Sequence, residues 1–398
     1  MSAEPDDMRP RTLAGATILQ IVPALRDDSA GRTAVNVAYT LMQVGARAMV
    51  AGDSGPLVDE LRGFGGEYVA LPDTAANPLK IRRNAGVLEE IIGRERVDVV
   101  HARSAGAAWS ALIATVRLPA WLVTNLPDSG TPHGLRSLQI RAMTQGDRVI
   151  ASSADNGAQF AKRYGIPRER LVIIPPAIDT ATFDPAAVSP EHAQALRQAW
   201  SVRPGERVIL VPGPIAPWNG QMVLSDAVRL LAQSGLHDAV FVLIGDTKEP
   251  HAREVAARCI AHGIDGLMVQ IGPCADMPAA FAAADIVVVP SVEAPMFGRR
   301  VAQAQAMGRP VIASAIGILQ ENVVVPPRVA DDLRTGWLTR PGDPQDLARA
   351  IGVALSLEDT VYRGYSARAR QFAEFMFSPR SIAVAHRGVY TSLLARDA

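Results

Sequence analysis

The stretch Arg207-Val-Ile-Leu-Val-Pro-Gly-Pro-Ile-Ala-Pro-Trp-Asn-Gly-Gln-Met-Val223 decides the fold. Arg207 to Val211 is a short β-branched run, the prolines and glycines that follow are turn formers, and beyond Gly220 the apolar spacing becomes helical. Strand, tight turn and helix make the repeating unit of a parallel sheet covered on both faces. The same unit recurs on either side. Downstream, strands are expected at 240–244, 267–271, 286–289 and 311–313. Upstream they are expected at 18–22, 47–51, 67–71, 97–101, 121–124, 148–151 and 171–174, with helices between them. The pattern predicts an α/β protein with two doubly wound domains in series.

The chain has 398 residues, which suits two domains that each bury a full apolar interior. Forty basic and forty acidic residues cancel, so no net field draws the chain to nucleic acid, and an anionic ligand must be met by a local patch. Of the basic residues only Lys80, Lys162 and Lys248 are lysine. The cysteines, Cys259 and Cys274, form neither a metal spacing nor a disulfide framework, which suits a reducing, cytoplasmic compartment. The apolar stretch at 13–25 reads as a first buried strand rather than a signal peptide, because Gln20 and Pro23 interrupt it. The longest remaining apolar run, 105–116, is shorter than a bilayer span and is flanked by Arg103 and Arg117. Any membrane contact is therefore expected to be peripheral. His101, His192, His237, His251, His262 and His386 make no metal spacing, and no Gly-x-Gly-x-x-Gly follows the first strand, which removes the usual metal and dehydrogenase readings.

The segment 179–200, with Pro185 and Pro190, interrupts the alternation and reads as a linker leading into a helix. It places the domain boundary between 185 and 186, giving domains at 1–185 and 186–378. Gly342-Asp343-Pro344 reads as a helix start, with Asp343 as the cap and Pro344 in the first turn.

Several segments, in this order and spacing, resemble the family-4 glycosyltransferases, especially bacterial members of lipopolysaccharide and envelope polysaccharide assembly. They are Val99-Val-His-Ala-Arg-Ser104, Arg148-Val-Ile-Ala-Ser-Ser153, Val172-Ile-Ile-Pro-Pro-Ala-Ile-Asp179 with Phe183-Asp-Pro185, and Phe241-Val-Leu-Ile-Gly-Asp246. Ala284-Asp-Ile-Val-Val-Val-Pro-Ser291, Phe297-Gly-Arg-Arg-Val-Ala-Gln-Ala-Gln-Ala-Met-Gly-Arg-Pro-Val-Ile-Ala313 and Thr335-Gly-Trp-Leu-Thr-Arg-Pro-Gly-Asp343 complete the set. The resemblance implies a GT-B-like fold: two Rossmann-like domains facing across a cleft, the second holding a nucleotide-sugar and the first an acceptor. It also implies a C-terminal helix, 379–394, that completes the first domain. The implied chemistry is sugar transfer with retention of configuration and no catalytic metal.

Such a transfer builds negative charge on the leaving diphosphate and positive charge at the anomeric carbon, so fixed cations and amide donors are expected to do most of the work. The residues that the resemblance assigns to these tasks are largely replaced. Pro214 and Asn219 stand where an arginine and a lysine are implied, and Pro295 and Gln303 where two glutamates are implied. A paired-glycine turn is replaced by Asp28-Ser29, where Asp28 is expected to cap its own helix. At the expected histidine stands Leu126-Pro127-Asp128, leaving His133 as an outside candidate. Glu293 reads as an exposed loop acid. Gly213, Gly245, Asp285, Gly298, Arg299, Gly308, Gly317 and Glu321 match framework positions. Candidates for contact with a nucleotide-sugar are therefore Gly213, Asn219, Gly245, Gly298, Arg299, Arg300, Gln303 and Glu321, and no catalytic residue is assigned.

These losses lead to the expectation of a degenerate glycosyltransferase acting as a binding or scaffolding subunit beside an active relative or another envelope-biosynthesis protein. It would need no cofactor, bind a nucleoside-diphosphate sugar weakly, and reside in the cytoplasm or peripherally at the inner membrane. The alternatives are an active retaining enzyme with a rearranged site built from Arg299, Arg300, Gln303 and Glu321, or a sugar-nucleotide epimerase on the same fold.

Overall fold

The computed structural model describes residues 12–72, 77–127, 140–295 and 298–395. By its own contacts the chain separates into two compact units, Met1–Ala177 with Pro379–Ala398, and Ile178–Ser378. Each is built on one parallel sheet.

In the first unit the strands are β1 (Thr17–Ala24), β2 (Arg47–Asp53), β3 (Glu67–Ala70), β4 (Val99–Ala102), β5 (Trp121–Asn125), β6 (Arg148–Ala151) and β7 (Leu171–Ile173). They lie in the order β3-β2-β1-β4-β5-β6-β7, every pairing parallel. The order reverses between β1 and β4. Helices α1 (Ser29–Met42), α2 (Leu57–Gly63), α3 (Pro78–Glu95), α4 (Ala105–Thr115) and α5 (Ala154–Tyr164) connect them. The strands are apolar on both sides: Ile18, Val22 and Val50 belong to one core, and Leu19, Ile21 and Met49 to the core on the other face. That is why they read as continuous apolar runs.

The second unit has β8 (Arg207–Pro212), β9 (Ala239–Ile244), β10 (Met268–Ile271), β11 (Ile286–Val289), β12 (Val311–Ser314) and β13 (Gly336–Thr339), in the order β10-β9-β8-β11-β12-β13, also parallel. Its helices are α6 (Pro190–Ala199), α7 (Gln221–Gln233), α8 (Pro250–His262), α9 (Met277–Ala283), α10 (Arg299–Ala306), α11 (Leu319–Asn322), α12 (Pro344–Leu355) and α13 (Asp359–Phe377). Here the order reverses between β8 and β11. Asp285 ties that junction down: its carboxylate accepts from the Val208 amide at 2.7 Å and pairs with Arg197 and Arg207 at 3.3 and 3.4 Å. Asp343 caps α12 by accepting from the Asp346 amide at 2.9 Å, with proline in the first turn.

The units divide at Ala177/Ile178 rather than at 185. The segment read as a linker is packed into the second unit: Ile178 and Phe183 lie in its core, the Ile178 amide donates to the Phe377 carbonyl, and Asp184 pairs with Arg370 at 3.0 Å. Its prolines mark a change of direction. They do not free the chain, because apolar burial on both sides holds it. The last helix, α14 (Pro379–Leu394), belongs to the first unit and packs against α1, burying Ile382, Tyr390, Leu393 and Leu394.

Candidate functional site

In an open parallel sheet, ligands bind beyond the carboxyl ends of the strands where the order reverses. In the second unit that place lies beyond β8 and β11. Leaving β8, the chain enters a turn at Gly213 with φ +133°, a conformation open to glycine and strained for other residues. Arg300 of α10 closes over this glycine. A Cβ at Gly213 would fall 2.9 Å from Cζ and 3.0 Å from Nη1 of Arg300, so a side chain there would push the guanidinium aside. Arg300 is an exposed residue whose pKa is drawn below the ordinary arginine value by partial desolvation, with Arg299 beside it. It has no ion-pair or hydrogen-bond partner among the described residues.

The loop beyond Gly213 satisfies itself. Asn219 Nδ2 donates to the Pro214 carbonyl at 2.7 Å, and Gln221 Nε2 donates to the same oxygen at 2.9 Å. Asn219 therefore fastens the turn and is turned toward the backbone. Gly220, with φ +75°, caps α7 and abuts β11's exit: a Cβ there would lie 1.9 Å from the Pro290 carbonyl oxygen. The Trp218 carbonyl accepts from the amides of Val292 and Glu293, joining the two loops.

The other candidates fall around this junction with unequal roles. Gly245 is buried directly after β9, and Gly298 is the buried N-cap of α10, its carbonyl accepting from Asn322 Nδ2 at 3.3 Å. Gln303 is half-buried on α10; its neighbour Gln305 is fully buried and donates to the Asn322 carbonyl at 2.7 Å. Glu321 is half-buried on α11, where its carbonyl accepts from Arg328. Pro295 ends the described part of the β11 loop, half-buried, while Glu293 is exposed. Phe297 lies outside the described residues.

On the far side of the same loop, toward α8, a cavity of about 490 Å³ is lined by Pro214, Trp218, Asp246, Glu249, His251 and Glu254 among others. His251 Nδ1 lies 2.8 Å from Glu254 Oε2. The two sides of the β8 loop thus differ in charge, with arginine on the α10 side and carboxylates on the α8 side.

In the first unit Asp28 acts as expected: its carboxylate accepts from the amides of Ala30 and Gly31 at 3.0 and 2.9 Å, filling the N-terminus of α1. Pro127 follows β5 and its carbonyl accepts from Asn156 Nδ2 at 3.2 Å. His133 lies outside the described residues. A polar group that sequence reasoning did not bring together sits where this sheet reverses order. His101 of β4 is wholly buried, with Nδ1 2.7 Å from the Tyr390 hydroxyl and Nε2 2.5 Å from Asn125 Oδ1. Arg103 donates to Gln20 Oε1 at 2.8 Å, and its Nε is enclosed without a partner. His386 of α14 is buried 5.5 Å from the His101 ring, with Nδ1 on the Ile382 carbonyl and Nε2 unpartnered. Only the return of α14 assembles this group, and nothing in the local sequence signals it. Among the described residues no cluster of His, Cys, Asp and Glu is placed to hold a metal, and no helix is long and apolar enough to cross a membrane.

Residues 30–182 match the model of Glycosyltransferase Family 4, and residues 206–356 match that of Glycosyl transferases group 1. The matches cover the core of each unit in turn. The chain thus carries a Glycosyltransferase Family 4 domain followed by a Glycosyl transferases group 1 domain. It is similar to a solved glycosyltransferase from Rickettsia africae ESF-5, at 26% identity with a TM-score of 0.75 over 96% of this chain and 99% of that one. Among curated proteins it is 30% identical over 258 residues to the D-inositol 3-phosphate glycosyltransferase of Pseudarthrobacter chlorophenolicus, covering 59% of each. It is 28% identical over 334 residues to that of Xylanimonas cellulosilytica, covering 78% of this chain and 76% of the relative. The chain spans 59%, 48% and 51% of the lengths of the first three such relatives. Anabaena HepE in complex with UDP and glucose shares the fold, with a TM-score of 0.65 at 21% identity over 95% of this chain and all of that one. In the Glycosyl transferases group 1 domain, Arg300 lies on Gly213 and the loop at Pro214 is bonded to itself.

Proposed function

We propose that this chain is a degenerate glycosyltransferase that binds a ligand or partner in envelope polysaccharide or lipopolysaccharide assembly without transferring sugar. The observation that carries this reading is the closure of the β8 loop on itself, in which Asn219 and Gln221 both donate to the Pro214 carbonyl. The loop presents no cation of its own to a diphosphate. An amide spent on its own backbone does not stabilise a developing phosphate charge. Pro295 offers no carboxylate, and Gln303 offers only a neutral amide. Groups that act as a unit in transfer chemistry are lost together here, and partial retention of such a unit gives little rate.

On this reading the protein works in the cytoplasm, peripherally at the membrane if it meets one, beside an active relative or another envelope-biosynthesis protein. The test is turnover. Purified protein is incubated with UDP- and GDP-sugars and with inositol phosphate, lipid and saccharide acceptors, and product is followed by mass spectrometry; none is expected. Reproducible transfer that disappears in Arg299→Ala or Arg300→Ala would overturn the proposal. It would establish the second reading instead, a retaining enzyme with a rearranged site, for which a phosphorylated polyol acceptor is suggested by the curated relatives' names.

A further inference from the structure

The cavity on the α8 side of the β8 loop carries charge that no basic side chain balances. The β8 loop gives it Pro214, Pro217 and Trp218, and the segment from β9 into α8 gives it Asp246, Glu249 and Glu254, around a volume of about 490 Å³. No lysine or arginine is among the described residues that line it, and none pairs with any of the three carboxylates. Elsewhere in this unit carboxylates are matched: Asp285 takes Arg197, Asp226 takes Arg258, and Asp184 takes Arg370. Three anions around one space repel one another, and a cation held between them relieves the repulsion.

Local structure does not use these acids up. Glu249 stands at the N-cap of α8 without a side-chain hydrogen bond to the helix, and Asp246 accepts the backbone amide of Lys248 at 2.9 Å. Glu254 Oε2 accepts from Nδ1 of His251 at 2.8 Å, which places the proton of the neutral ring on Nδ1 and leaves Nε2 with its lone pair. That nitrogen is enclosed and has no partner, on a side chain only 11% exposed. A buried acceptor left unsatisfied costs stability until a donor meets it. His251 lines the same cavity, so a ligand rich in N–H groups answers both the carboxylates and the ring.

The loop wall supplies the rest of the recognition surface. Trp218 is 50% exposed, which leaves its indole open to a cation, and the exposed Pro214 and Pro217 offer apolar surface to an alkyl stem. Among the described residues no group of three His, Cys, Asp or Glu could hold a metal ion, so the charges are spread for a broader cation. We propose that this cavity binds an organic cation, a guanidinium or ammonium group on a short aliphatic stem. The site is separate from any recognition of diphosphate, which its carboxylates repel, and it does not depend on whether the chain transfers sugar.

The experiment is calorimetry on the full chain with butylguanidinium, butylammonium and, separately, an acetylated tri-arginine amide. Wild type is expected to saturate with at least one of them, more weakly as sodium chloride is raised. Asp246→Asn with Glu249→Gln should weaken binding by about tenfold or more, and Trp218→Ala by about threefold. In wild-type protein the bound cation should also slow carbodiimide labelling of Glu249, read by peptide mass spectrometry, which avoids dependence on the folding of a variant. Saturation by either small cation assigns a free amine or guanidine as the ligand, and saturation by the peptide alone assigns the side chain of a partner protein; the site stands in both cases. No saturation by wild type, equal affinity of wild type and the carboxylate double variant, or unprotected Glu249 would overturn the proposal. Sugar transfer would overturn the pseudoenzyme reading while leaving this one standing, so the two failures are distinguishable.

Discussion

The Tyr390 hydroxyl lies 2.7 Å from Nδ1 of His101, joining the last helix to the middle of the first sheet across 289 positions of sequence. Because Asn125 Oδ1 accepts at Nε2, the proton sits on Nε2 and Nδ1 accepts from tyrosine. The ring is therefore neutral. Burial, with Arg103 and His386 nearby, holds its pKa well below the ordinary histidine value, and burial raises the Tyr390 pKa to about 12. The pair fixes the register of α14 on the sheet.

Tyr390→Phe removes the hydroxyl that donates to His101 Nδ1 and leaves that buried acceptor without this partner. A loss of about 1–3 kcal/mol is expected in urea unfolding of the full chain. Tyr390→Ala should cost about 3–5 kcal/mol, since it adds a cavity in the core shared with Ile382 and Leu393. Equal midpoints for Tyr390→Phe and wild type would show that the hydrogen bond contributes nothing.

Stability should fall on mild acidification. His386 has its pKa lowered by burial and by Arg103 to about 3, and that of His101 is also depressed. The unfolded chain binds protons on these rings below its histidine pKa of about 6.5, and the folded chain does not, so stability is full above that pH and is lost as pH falls toward 3. The slope should approach about 1.4 kcal/mol per pH unit for each ring. Denaturant midpoints of wild type and His386→Phe between pH 7 and pH 5 give the check: the variant should show the shallower slope.

Gly220→Ala should be disruptive beyond ordinary loop changes. Both its φ of +75° and the 1.9 Å approach of a Cβ to the Pro290 carbonyl oppose a side chain. Backbone must shift, at a cost of about 2 kcal/mol or more. The melting temperature should drop, and any ligand seated by the β8 and β11 loops should bind more weakly. A Gly235→Ala control, where φ is +94° but open space surrounds the Cβ, should cost less.

Pro214→Arg with Asn219→Lys should raise affinity for UDP-glucose by about tenfold or more, since a hydrogen bond to a charged group contributes roughly 1.5–3 kcal/mol. Turnover should stay absent, because Pro295 and Gln303 are unchanged. Gln221 still donates to the residue-214 carbonyl, so the turn should persist. Appearance of product in the double variant would mean that the missing cations alone had silenced the site.

The sequence by itself determined what depends on near neighbours. The strand–helix alternation, the caps at Asp28 and Asp343, and the absence of cations at 214 and 219 follow from apolar period, side-chain reach to nearby amides, and residue identity. These interactions span a few residues, so a linear reading finds them. Only the tertiary structure placed the division at Ala177/Ile178, because Phe183 and Asp184 are held by partners such as Arg370 far along the chain. The turn showed Asn219 bonded to Pro214 five residues back, while only the fold laid Arg300 on Gly213 and carried Tyr390 back to His101. The last two pairings follow from the path of the chain, where a glycine admits a close approach and a returning helix supplies a donor, and neither depends on any local pattern.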